Sequence, residues 1–173
     1  ACPANITVNC ETDLTNLSVF GTPTASDNCS ILLSSNVEDQ RNTCGLGNIL
    51  RHFTYSDGGG LSASCTQIIT VIDNAPFNGT TDIVWPSHVT LNGCLSSTSE
   101  TVTGKPTFLN KDKCNQPVAR YEDLVFNYVE NVCYKVLRNW TVIDWCTYDA
   151  TVTPNKGVWR YTQVIKISNT DIP

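Results

Sequence analysis

The chain has 173 residues, nine cysteines, no methionine and a formal charge of −5 carried by few ionisable groups. It holds no basic block to neutralise a phosphate backbone, which argues against nucleic acid as a partner, and no apolar run near the roughly 20 residues of a membrane-spanning helix. Nine cysteines, two histidines and no C-x-x-C pair point to disulfides in an extracellular, secreted or cell-surface setting rather than to a metal site.

From the N-terminus, Ala4–Asn9 alternates polar and apolar residues and reads as a strand. A strand holds Cys2 and Cys10 roughly 25 Å apart, whereas a disulfide needs Cα atoms within about 7 Å. The two therefore bond elsewhere. Leu17–Phe20, Ile31–Asn36, Ile49–Tyr55 and Thr66–Ile72 follow as strand-like segments between Gly, Pro, Asn and Asp clusters. Asp73-Asn74-Ala75-Pro76 reads as a linker, and the runs LVFNYV, YKVLRNWTVI and RYTQVIKI are again strand-like. No helical periodicity is sustained, and the fold class is all-β.

The chain is written twice. CPANITVNC returns as WPSHVTLNGC, Gly21-Thr22-Pro23-Thr24 as Gly104-Lys105-Pro106-Thr107, LRHFTYSD (50–57) as LRNWTVID (137–144), and CTQIITV (65–71) as YTQVIKI (161–167). The order is preserved, and the second copy carries an insertion near Thr151 to Val158. About seven strand-length segments per copy suit two tandem immunoglobulin-like β-sandwich domains, residues 1–75 and 76–173. The chain closes on Asn169-Thr170-Asp171-Ile172-Pro173, which resembles the linker; a further module or subunit is expected to follow.

CPANITVNC, the SDNC of residues 26–29 and SCTQIITVIDNAP resemble hyalin-repeat-type (HYR-like) immunoglobulin-like modules, which recur in secreted and surface-anchored bacterial proteins and in some animal extracellular proteins. The resemblance implies adhesion, spacing or surface-fibre roles without catalysis, and no particular ligand. Copy two departs from the pattern at Trp85 and Tyr161, where cysteines are expected.

That departure guides the cysteine pairing. Cys2 and Cys65 are lost together in copy two, as expected of bonded partners, and in this sandwich the first strand runs parallel to the last, so their starts are neighbours. Trp85 and Tyr161 are then expected to form an aromatic contact in place of the bridge. Cys10–Cys29, with Cys94–Cys114 as its copy, follows if the strand after Cys29 returns from the pole where the first strand ends. Cys44, Cys133 and Cys146 remain. Cys133–Cys146 requires a break in the strand between them; alternatively Cys44–Cys146 links the modules and leaves Cys133 free or bonded to a neighbouring subunit.

No catalytic constellation emerges, and the chain is read as a non-enzyme without cofactor. His52 reads as a surface strand residue, and Asp57 and Asp144 as turn residues. The linker is similar to those of cadherins, which raises a structural calcium held by Asp27, Asp57, Asp73 and Asp82, although calcium takes about six to eight oxygens. Asn5, Asn16, Asn28, Asn78 and Asn139 each begin an N-x-[ST] glycosylation acceptor, with Asn78 and Asn16 the better placed. Trp140 reads as core; Trp145 and Trp159 read either as packing residues or as an exposed patch for carbohydrate. The expected role is a structural subunit of an extracellular filament or adhesin whose partners are further copies of itself. The alternatives are a carbohydrate- or protein-binding module, surface glycans included, and a calcium-dependent adhesion pair.

Overall fold

A computed structural model of the chain describes residues 1–127 and 132–169. The strand-like Tyr128-Val129 and the linker-like Thr170–Pro173 lie outside them. The chain divides into two compact units, Ala1–Pro76 with Asp112–Cys114, and Phe77–Lys111 with Asn115–Pro173. The three-residue excursion 112–114 is the one point where this division departs from a simple tandem.

Unit 1 is built on a four-stranded sheet of β1 (Ile6–Asn9), β2 (Ile31–Asp39), β3 (Gly47–Asp57) and β4 (Ser62–Ile72), in the order β1-β4-β3-β2. The first strand is parallel to the last, with Ile6 opposite Ile69, and the other pairings are antiparallel. Period-two alternation on β3 and β4 sends Ile49, Ile69 and Val71 to one face. That face is covered by Val8, Cys10, Leu14, Leu17 and Phe20.

Leu17–Phe20 is a 3-10 helix rather than the expected strand. Asn16 caps it, its Oδ1 accepting from Ser18 N at 3.1 Å, and Gly21 ends it at φ 109°. The cap and the glycine that stop a short helix were both present in the sequence. The difference matters for topology. Cys10 lies at the pole where β4 ends, its N–H bonding Ile72 O, whereas β2 starts opposite Asp57 at the other pole. The segment 11–30 therefore crosses the whole length of the sheet.

Unit 2 repeats this plan with β6 (Val89–Asn92), β8 (Pro117–Asn127), β9 (Tyr134–Asp144) and β10 (Val158–Ser168), in the order β6-β10-β9-β8. It adds a second sheet, β5 (Ile83–Val84) paired with β7 (Thr107–Phe108), and a one-turn helix, Glu100–Thr103. Phe77, Ile83, Val142, Phe108 and Trp159 pack between the two sheets, and Val136, Ile165 and Ile167 form a second cluster with Val89 and Leu91. The molecule is all-β, two tandem immunoglobulin-like sandwiches whose outer layer is reduced to short strands and single helical turns.

The disulfides correct part of the sequence reading. Cys2–Cys65 is formed, with Cα atoms 5.9 Å apart. Cys10 bonds Cys114 and not Cys29, and Cys94 bonds Cys133 and not Cys114. The crossing segment is the reason: Cys29 lies beyond it, at the pole opposite Cys10. Cys133 is not free: its N–H bonds Ile167 O, and Ile167 stands opposite Leu91 near the end of β6, the pole where Cys94 sits. Cys29 is the free cysteine, and it is exposed. Cys44 and Cys146 are each disulfide-bonded.

Candidate functional site

Each unit carries a buried polar clamp on its core face. The cross-strand pair Arg51 and Gln67 in unit 1 is repeated as Arg138 and Gln163 in unit 2. All four side chains are buried. Gln67 Nε2 donates to Ala4 O and Phe20 O, both at 2.7 Å; Gln163 Nε2 donates to the equivalent Ser87 O at 2.8 Å and Thr103 O at 2.6 Å. One amide thus satisfies two orphan carbonyls of the covering layer, which would otherwise cost about 1–3 kcal/mol each. The carbonyls come close because Gly21 (φ 109°) and Gly104 (φ 81°) pack on Pro3 and Pro86, where an added Cβ would stand 3.0 and 3.3 Å from the proline Cβ.

The arginines then diverge. Arg51 donates to Gln67 Oε1 at 2.6 Å and Gly21 O at 3.0 Å, with no carboxylate partner among the described residues, and burial pushes its pKa down. In unit 2 the indole of Trp140 takes over the bond to Gln163 Oε1, at 3.3 Å. That frees Arg138 to grip Asp123 with two bonds of 2.8 Å, raising its pKa, and to donate to Thr103 Oγ1 and Thr98 O. Tyr121 lies over its guanidinium at 4.0 Å. Sequence reading missed the clamp, although both copies retain Arg and Gln at matching places.

At the strand entry, Trp85 stacks on Tyr161 with centroids 5.2 Å apart, at the place of Cys2–Cys65. Asn5 Oδ1 and His88 Nδ1 accept from Ile68 N and Val164 N, equivalent bonds at 2.8 and 2.9 Å.

The remaining sequence candidates are mostly held in local structure. Asp57 Oδ1 accepts from Gly59 N and Leu61 N, and the buried Asp144 accepts from Gln116 N and Thr147 Oγ1. Asp27 and Asp73 cap their own turns. Asp82 is buried, its carboxylate held below the ordinary range by the Asn78 N–H and then by Asn110 and Thr81. The calcium candidates are thus each engaged by neighbouring donors. Among the described residues one group has metal-ligand spacing, Cys10, Asp73, Asp112 and Cys114. Its two cysteines bond each other, leaving two carboxylates, well short of a calcium shell.

His52 Nδ1 lies 3.0 Å from Thr66 Oγ1, and its Nε2 is 3.5 Å from Glu38, on the open face of the unit 1 sheet. Trp159 is an edge-on neighbour of Phe77 at 5.4 Å within the core, and it lies so close over Gly79 that a Cβ there would stand 2.1 Å from the ring. Trp145 is exposed and contacts Tyr148, so the two tryptophans form no shared stacking patch. Asn5, Asn16, Asn28 and Asn78 are exposed; Asn139 is half-buried on β9 and accepts from Thr162 Oγ1. Asn139 lines a hollow of about 450 Å³ on the outer sheet face of unit 2, with Arg120, Glu122, Thr141 and Arg160.

Residues 1–71 match the family model of the HYR-like domain with 4 cysteines. No curated protein matches the chain. Among solved structures, the human mucin-like protocadherin EC1-2 fragment is similar at 12% identity and a TM-score of 0.35, over 96% of this chain and 97% of that one.

Proposed function

We propose that the protein is a non-catalytic structural module pair of an extracellular filament or surface adhesin, associating with copies of itself or with further tandem modules. The observation that carries this reading is the use of cysteine. Cys10–Cys114 reaches 104 positions along the chain to hold the excursion 112–114 in unit 1, and Cys44 and Cys146 are also committed to disulfides. Such a bond between distant positions of the chain lets tension be borne by a covalent link. Such bonds persist in oxidising compartments, which supports a secreted or surface location. Glycans on the exposed Asn16 and Asn78 fit the same setting. Electron micrographs of purified protein at rising concentration test the proposal. Regular filaments or ordered multimers are expected; dispersed single chains at every concentration contradict it.

A second reading is favoured by the hollow beside Asn139. Arg160, beside an Arg120 that bonds Glu122, offers a guanidinium fork suited to the carboxylate or sulfate of an acidic sugar. Glycan-array binding that is lost in Arg160→Ala supports that reading. For the calcium-dependent alternative, a melting temperature unmoved by chelator removes the case.

A further inference from the structure

Both sheets end on a long strand that little covers. β2 is the edge of unit 1 and β8 the edge of unit 2, and the two are equivalent, since Val37 faces Arg51 as Asp123 faces Arg138. Neither covering layer reaches that far. On the core side Leu33, Val37 and Val125 are 43%, 51% and 56% exposed; on the outer side Leu32 and Phe126 are 71% and 45% exposed. A long edge with free N–H and C=O groups and apolar residues on both faces is a template for another strand.

We propose that β2 of one copy pairs antiparallel with β8 of another, joining two four-stranded sheets into one. This deepens the self-association reading and rests on it. The two strands complement each other in one register, Glu38 opposite Arg120. All nine residues of β2 then face residues 119–127 of β8. Leu33 meets Val125 and Val37 meets Tyr121 on the core side; Leu32 meets Phe126 on the outer side. Because β2 and β8 both send odd-numbered residues to the core side, this register matches faces throughout. Sliding by two residues sets Leu33 against Asp123 one way, and Glu38 against Glu122 the other. The remaining acids have partners of their own: Asp39 bonds Arg41, Asp123 bonds Arg138, and Glu122 bonds Arg120 on its own strand, a pair that Glu38 joins across the seam. The contact joins unlike surfaces, so its repetition propagates from copy to copy instead of stopping at a dimer.

The test uses the full chain in a Cys29→Ser background, followed by sedimentation and non-reducing gels. Glu38→Arg and Arg120→Glu are each expected to weaken association about fivefold, and the double variant to restore it, as cross-strand charge pairs do. Leu33→Cys with Val125→Cys is expected to give disulfide-linked ladders on mild oxidation. Leu32→Cys with Val125→Cys places the thiols on opposite faces and is expected to give none. Association without ladders or rescue overturns this pairing and leaves the filament reading standing. Disulfide-linked dimers from either single cysteine, which report a strand pairing with its own copy, also overturn it. No association in the parent chain overturns both.

Discussion

Unit 1 and unit 2 hold the same sheet together by different means. At the strand entry, unit 1 has Cys2–Cys65 where unit 2 stacks Trp85 on Tyr161. In the clamp, unit 1 leaves Arg51 opposite Val37 without a carboxylate, whereas unit 2 sets Asp123 against Arg138 and adds Tyr121 and Trp140. At the far pole, unit 2 closes on itself through Cys94–Cys133, whereas Cys10 of unit 1 bonds outside the first sequence copy, to Cys114. The two units thus share a backbone plan and a glutamine clamp and differ in the covalent and non-covalent fastenings around them. The copy with the bridge at its strand entry is the one with the simpler clamp.

The clamp gives the largest expected difference. Arg138→Met removes the donors to Asp123, Thr98 O and Thr103 and is expected to cost about 3 kcal/mol, the top of the range for charge-assisted bonds, because the exposed Asp123 is left to water and not buried unpaired. Arg51→Met leaves only neutral acceptors unpaired and is expected to cost about 1–3 kcal/mol. All four tryptophans lie in unit 2, so urea unfolding followed by tryptophan fluorescence isolates the first variant. Circular dichroism reports both. Equal costs would break the comparison. Next in size, Cys2→Ser with Cys65→Ser is expected to destabilise unit 1 by about 2–4 kcal/mol, while Tyr161→Ala forfeits the stacking term of about 0.5–1.5 kcal/mol beyond its buried area. Converting Trp85 and Tyr161 together to cysteine sharpens the point: mass spectrometry should find the transplanted bridge formed.

Trp140→Phe removes the donor to Gln163 Oε1 and is expected to cost about 1–3 kcal/mol, less if Arg138 turns to that oxygen as Arg51 does. The smallest effect concerns acid. The folded pKa of Asp82 is depressed, chiefly by the Asn78 N–H. Its contribution is therefore present above the unfolded value of about 3.9 and is lost as pH falls through the lower folded value. Tryptophan-detected stability should fall in that window, and Asp82→Asn should flatten the fall; an unchanged slope would contradict the assignment.

Much of the fold was legible because strands repeat with a period of two and the chain repeats itself. Cys2–Cys65 and the Trp85–Tyr161 contact followed from aligning the copies, and the parallel first and last strands from the expected sandwich. What failed was one crossing. Taking the strand after Cys29 to return from the pole where the first strand ends put Cys29 at the wrong pole and carried Cys94–Cys114 with it. The clamp was missed for a different reason. Arg and Gln on a strand read as solvent-facing, and only the covering carbonyls, brought close by Gly21 and Gly104, make them buried partners. Trp159 could not be placed from sequence because its burial depends on Gly79, 80 residues earlier.

The difference in fastenings turns on where Cys10 is bonded. Peptide mapping of the native, alkylated and unreduced protein measures this directly. The account predicts a linked pair of peptides containing Cys10 and Cys114, a second containing Cys94 and Cys133, and the alkyl label on Cys29. A fragment joining Cys10 to Cys29 or to Cys44, with Cys114 bonded elsewhere, would contradict it.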